Sequence, residues 1–316
     1  MPRISLSDLS SDGNAPRRQC TLKASIGCVG VGVHSGKRVS LTLKPAEADH
    51  GIVFRRTDLG SDIPARFDRV VDTRMSTVLG ELRNKKVRVG TVEHLMAALA
   101  GAGVDNALIE VDGPEVPILD GSAAPFLFLL ECAGLVEQAG LRRILEVRRP
   151  IRVTAGHAFA ELRPLGPAYR AGAPILELDL SIDFAAEAIG SQSCAMRLTP
   201  DNFRAELSRA RTFALSHEVD QLRAAGLGLG GSLDNAVVVD GAKVLNPGGL
   251  RMEREFARHK LLDAVGDLAL AGAPIHGRFV AHRTGHTLNN RLLRALFDDA
   301  SAWREIVAQP VIDAAA

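Results

Sequence analysis

Apolar and polar positions alternate with two different periods along this chain, and the changes of period mark its elements. Period-two segments at TLKASIG (from Thr21), RVSLTLKPA (from Arg38) and GIVFRRTDL (from Gly51) predict strands. A helical period takes over in VGTVEHLMAALAGAG, where Thr91 is the expected N-cap. The strand pattern NALIEVDG follows, then an apolar run from Ala123 to Ala133 that predicts a buried helix. The stretch EQAGLRRILEVRRP, with its glycine, arginines and proline, predicts a linker near residue 140.

Beyond that point the order recurs. ILEVRRPIRV, AFAELRP and ILELDLSIDF read as strands, Asp201 to Ala210 as a helix, NAVVVD as a strand, and EREFARHKLLDAVGDLALAG as a second long helix. The halves share an element order and no letter repeat. Mixed strands and helices without strict βαβ alternation predict an α+β fold, two similar two-layer α/β sandwich domains with a ligand cleft between them. The expected boundaries are 19–140 and 141–300, flanked by a disordered extension at 1–18 and a tail at 301–316.

Composition narrows the classes. With 316 residues, 46% of them hydrophobic, the chain buries a large core. Its 38 Lys and Arg nearly cancel 37 Asp and Glu, and no basic block predicts a nucleic-acid surface. The best apolar run, Ala123 to Leu130, is too short to span a membrane and stops at Glu131. Residues 1–18 lack the apolar centre of a secretory signal, so a cytoplasmic protein is expected, and a monomer. Cys20, Cys28, Cys132 and Cys194 form no CxxC pair and read as reduced thiols.

Candidate chemistry sits on the two helices. His259, Asp263 and Asp267 are spaced by four residues, so they stack along one helix face, and two acids so placed repel unless a cation offsets them. Glu93 and His94 fall in the first turn of the other helix, with Ala97, Ala98 and Gly101 offering a small face for close approach. A catalytic zinc wants three N or O ligands and an open position for water, a count that His94, His259 and Asp263 supply. Glu93 points about a quarter-turn from His94, placed to take a proton from that water. Asp267 reads as an orienter, and His286 in RTGHTLNN as a general acid or oxyanion stabiliser in a turn. His34 in GVGVHSGK is a ligand-contact candidate, although the spacing is wrong for a GxxxxGK phosphate loop. Gly226, Gly228 and Gly231 satisfy GxGxxG, but they end a helix and lead into a strand, the reverse of a dinucleotide fingerprint.

TVEHLMAALAG, EVPILDGSAAPF, SRARTF, LGGSLDNAVVVD, FARHKLLDAVGDL and GHTLNN together closely resemble the zinc-dependent UDP-3-O-acyl-N-acetylglucosamine deacetylases of lipid A synthesis, from about Gln19 to about Leu296. The resemblance implies two similar α+β domains around the metal, a UDP-linked acylated amino sugar as substrate, zinc (or ferrous iron) on His94, His259 and Asp263, and Glu93 as general base. It implies His286, held by Asp267, as amine protonator or oxyanion stabiliser, and Thr212 as a further oxyanion contact. Phe213 would touch the sugar nucleotide and Lys260 its phosphates. Leu215 to Gly231 would form an apolar passage for the acyl chain, lined in part by Val219, Leu222 and Gly231. A zinc amidohydrolase for another N-acyl sugar keeps the same metal site, and a non-catalytic binding protein of this fold would need no proton-transfer set.

Overall fold

The computed structural model describes residues 18–166 and 174–308; the expected extension lies outside them except for Arg18. The first half runs β1 (Arg18–Leu22), β2 (Ile26–Val31), β3 (Arg38–Pro45), β4 (Ile52–Arg56), β5 (Ser61–Pro64), a 3-10 turn at Phe67–Arg69, β6 (Val70–Asp72), β7 (Val78–Gly80), β8 (Arg88–Val89), α1 (Glu93–Ala102), β9 (Ala107–Val111), α2 (Ala124–Ala133) and β10 (Leu135–Leu141). Five strands form one sheet in the order β2-β3-β9-β4-β5. In β3 the alternation drives Val39, Leu41 and Leu43 inward, and β9 buries Ala107, Ile109 and Val111 beside them. α1 packs against α2, and Leu95, Met96 and Leu99 of the first and Phe126, Leu127 and Leu130 of the second join the core.

The second half runs β11 (Arg143–Val147), β12 (Ile151–Ala155), β13 (Ala158–Arg163), β14 (Leu176–Asp183), β15 (Ser191–Arg197), α3 (Pro200–Asn202), β16 (Phe213–Leu215), α4 (Ser216–Ala224), β17 (Val237–Asp240), β18 (Lys243–Val244), α5 (Glu255–Ala269), β19 (Ile275–His282), α6 (His286–Asp298) and β20 (Trp303–Val307). β19 lies at the centre of a seven-stranded sheet, antiparallel to β13 and parallel to β14 and β11. α5 packs on β14 and β15, and α6 on β12 and β13. The architecture is α+β, as the sequence predicts.

Several elements depart from expectation. TLKASIG divides between β1 and β2 at Lys23–Ser25, and ILEVRRPIRV divides at Arg148–Pro150, where two arginines and a proline interrupt the ladder. The predicted linker near residue 140 is instead strand on both sides: β10 pairs back to β1 and β11 joins the second sheet, with Arg142 alone between them. The Asp201–Ala210 helix is shorter, capped by the Thr199 hydroxyl and ending in a wide π turn at Phe203–Leu207. The tail expected from 301 opens as β20, antiparallel to β11, and the Trp303 ring meets Phe297 edge-on with ring centroids 5.0 Å apart. No helix among the described residues is long and apolar enough to cross a membrane.

α1 and α5 meet face to face. A Cβ on Gly266 would stand 2.0 Å from the Glu93 carbonyl oxygen, so only glycine lets the helices close to this distance. Gly101 does the same service on α1, where a Cβ would stand 2.3 Å from the Phe203 ring.

Candidate active site

The two helices present their polar groups into this close contact. Glu93 and His94 on α1, and His259, Asp263 and Asp267 on α5, are all buried. Each helix begins just after a non-glycine residue in the left-handed region, Thr91 (φ 56°) and Arg254 (φ 55°). Such a backbone costs roughly 1–2 kcal/mol per residue, strain of the kind that gathers at functional sites. Thr91 is therefore not the N-cap expected of it. Val92 occupies that position without a side-chain cap, and the Thr91 hydroxyl donates to Glu115 Oε1 at 3.0 Å.

His94 Nε2 lies 3.5 Å and His259 Nε2 3.2 Å from the same atom, Asp263 Oδ1. One donor atom from each of the three residues falls within 4.8 Å of the others. The His259 Nδ1 is 3.1 Å from the Ala210 carbonyl, which only accepts, so Nδ1 carries the proton and Nε2 presents a lone pair. Burial pushes the His259 pKa down to about 3, leaving the ring in the neutral form a metal binds. Burial alone would raise the Asp263 carboxyl, but its positive neighbours outweigh that, with Lys260 Nζ donating to Oδ2 at 2.8 Å, and hold it well below the usual range. Asp263 Oδ1 is buried and has no hydrogen-bond partner. An orphaned anionic oxygen beside two imidazole nitrogens, at least one of them presenting a lone pair, is costly unless a cation sits there, so these residues fit a zinc or ferrous ion.

Beside this cluster lies a second array of buried titratable groups. Glu93 Oε2 accepts the Thr77 N–H at 3.0 Å, and Oε1 lies 3.7 Å from His286 Nε2. Burial raises the Glu93 pKa above its ordinary 4.5. His286 Nδ1 is 2.9 Å from Asp267 Oδ2. Burial disfavours the imidazolium, yet the Asp267 and Glu93 charges prevail and raise His286 to about 9. Asp267 is itself fixed by the Asn289 amide at 2.8 Å and the Thr77 hydroxyl at 2.6 Å. His286 does not lie in a turn, as its neighbour Gly285 suggests, but opens α6.

Thr77, Asn289 and Ala210 escape sequence reading. Asn289 lies one residue short of a helical turn beyond His286 in GHTLNN, a recoverable signal once α6 is recognised. Thr77 acts partly through its backbone N–H, and Ala210 only through its carbonyl, which no residue pattern reveals.

The remaining candidates spread around this centre. The Phe213 ring lies 6.2 Å from the His259 ring and 5.7 Å from Lys260 Nζ. Thr212, next to it, is held by backbone bonds to Gly121 and Val237 at 2.8 Å each. His34 donates its backbone N–H to Glu115 and accepts the Leu229 N–H at 3.3 Å, and its Nδ1 is buried without a partner. Val219 and Leu222 are half-buried on α4 and take no part in the polar cluster. Gly226 and Gly228 adopt left-handed φ and close the end of α4, and Gly231 bonds back to Gly228, so the GxGxxG letters form a helix terminus and turn. A separate cleft of about 280 Å³, lined by Met96, Leu99, Val265 and Leu268 among others, includes none of the six polar groups. The four cysteines are free thiols.

Paired imidazoles, a carboxylate without a partner, and an adjoining buried acid and tied imidazole define the kind of centre used by metal-assisted hydrolases. Comparison with known proteins falls in that class. The sequence matches the UDP-3-O-acyl N-acetylglycosamine deacetylase family, LpxC, over residues 19–298, and the chain belongs to this family. It is 48% identical over 289 residues to a protein of Shewanella violacea named UDP-3-O-acyl-N-acetylglucosamine deacetylase, covering 90% of this chain and 91% of the relative. A protein of the same name from Idiomarina loihiensis is 47% identical over 290 residues, covering 90% and 92%.

Proposed function

We propose that this protein hydrolyses the acetamide of UDP-3-O-acyl-N-acetylglucosamine, releasing acetate and the free amine, the committed step of lipid A synthesis. The observation that carries the reading is the buried Asp263 Oδ1 between the two imidazoles, with the Glu93–His286–Asp267 array beside it. Zinc held by His94, His259 and Asp263, with ferrous iron as the alternative, would supply Lewis acidity and make a bound water acidic enough to react near neutral pH.

The protein's own groups account for the proton movements. Glu93 accepts the proton that water loses as its oxygen bonds to the acetyl carbon. Thr212 steadies the oxygen that becomes negative. The C–N bond then breaks, and the amine takes a proton from cationic His286 or from Glu93, now protonated. Asp267 keeps His286 oriented and charged. Phe213 offers its ring to the sugar nucleotide, and Lys260, already steadying Asp263, offers positive charge to its phosphates. Val219, Leu222 and Gly231 would border the acyl chain, and His34 would be a further substrate contact.

All these groups come from one chain, so a monomer suffices. The domain division we favour is 19–140 and 141 onward, the second domain now running through β20. Free thiols and a nucleotide-sugar substrate support a cytoplasmic location. A metal assay paired with acetate release tests site and substrate together: one bound metal and release from the acylated sugar nucleotide are expected. Release at an equal rate from an N-acetylated sugar nucleotide that lacks the 3-O-acyl chain would favour a different amidohydrolase.

A further inference from the structure

Glu115 takes no part in the proton array, yet its buried carboxylate gathers three donors from two separate segments. Oε1 accepts the Thr91 hydroxyl at 3.0 Å and the His34 N–H at 2.9 Å, and Oε2 accepts the Ser35 N–H at 3.0 Å. A Cβ on Gly32 would stand 2.3 Å from Oε2, so the carboxylate fills the concavity of the 32–36 turn. The same turn holds the part of the 215–231 insert that follows α4: Leu229 N–H donates to His34 O at 3.3 Å and Gly230 N–H to Val33 O at 3.0 Å. A Cβ on Gly230 would stand 2.4 Å from Gly32 O, so insert and turn are in backbone contact.

We infer that Glu115 is a positioning residue that sets acyl-chain selectivity, by fixing the 32–36 turn, and through it the 215–231 insert, to the strained opening of α1. The inference rests on the proposed deacetylase reading only for its selectivity arm. Among the described residues no other carboxylate accepts the His34 and Ser35 amides, which ties the register of the insert over the site to this side chain. A carboxylate accepts at both oxygens, whereas a glutamine must turn its NH2 toward a donor and lose at least one of the three bonds.

The test compares wild type with Glu115→Gln as metal-loaded protein. Amide hydrogen exchange should show lost protection not only at His34 and Ser35 but also at Leu229 and Gly230, which Glu115 does not touch. With acylated and acyl-truncated sugar nucleotides, the preference in kcat/KM for the longer chain should fall about tenfold, the scale of one charge-assisted hydrogen bond, and the fall should appear in KM. Protection kept at Leu229 and Gly230, or an equal loss of kcat on both substrates with the preference intact, would overturn the inference. Gly230→Ala covers the case in which Glu115→Gln does not fold: it separates insert from turn directly and should lose the same preference. A preference unchanged in it would also be contrary. If wild type released no acetate from either substrate, the deacetylase reading would fail, while the exchange result would still decide the coupling.

Discussion

At the level of single residues, Glu93 and His286 sit in different environments, and in the proposed reaction these would divide the proton work between them. Burial raises Glu93, and the neighbouring carboxylates raise His286, so at neutral pH the imidazole is cationic and ready to donate. Ionised Glu93 is needed to accept a proton, so activity should fall on the acid side at a higher pH than an ordinary glutamate would set. On the alkaline side it should fall as pH passes about 9, where His286 loses its proton. Asp267→Asn removes the larger of the charges that raise His286, so the alkaline limb of the kcat/KM profile should move down toward 6.5; a limb left near 9 would show that another group sets it. The linked stability term has the same sign: the His286–Asp267 pair contributes fully below the unfolded pKa and is lost as pH rises through about 9. Glu93→Gln should keep the metal and lose turnover by about a hundred- to ten-thousand-fold, and metal loss in that variant would count against its role as base. Glu93, His94 and His259 were legible because their spacing forces them onto helix faces. Thr77 and Ala210 were not, since a backbone N–H and a carbonyl carry no letter.

Elements show why the site depends on a glycine, Gly266, that looks incidental in the sequence. Gly266 stands against backbone, the Glu93 carbonyl, which cannot swing aside as a flexible side chain would. Gly266→Ala should therefore push α5 from α1, destabilising the fold by roughly 1–3 kcal/mol, as overpacking does, and weakening metal binding in the same variant. Thermal melting with metal titration checks both, and a stability loss with unchanged affinity would mean that the helices relax without separating the ligands. The sequence showed α1 and α5 through their period and helix formers. It also carried α6 in Leu288, Leu292, Leu293 and Leu296, all buried, but the Gly285–His286 pair read as a turn and hid the helix start. β10 fell in the stretch read as a linker because glycine and arginine dominate it, although the ILEV of β11 read as strand, and pairing with β1, β19 and β20 supplies what local propensity lacks.

Across the whole molecule, the three candidate ligands join the two halves: His94 comes from a helix of the first, His259 and Asp263 from a helix of the second. The α+β class and a metal site between the halves were readable from element order and the two motifs, but the closeness of the junction was not, because it depends on Gly266 meeting the Glu93 carbonyl. The apolar core runs without a break from the first sheet through these helices to the second. Metal binding is therefore not required to hold the halves together, and a chelated protein should stay folded with a cooperative transition. It should nevertheless melt at lower temperature, since a ligand that binds only the folded state adds about 2.7 kcal/mol at a hundred times its Kd. The difference should vanish in His259→Ala, which loses a ligand from the second half, and equally in His94→Ala, which loses one from the first. Differential scanning calorimetry with and without chelator, on wild type and both variants, measures this directly. A chelator-induced shift that persisted in either variant would place the stabilising ion elsewhere, and separate melting of the halves after chelation would mean that the metal, not the α1–α5 contact, makes them one cooperative body.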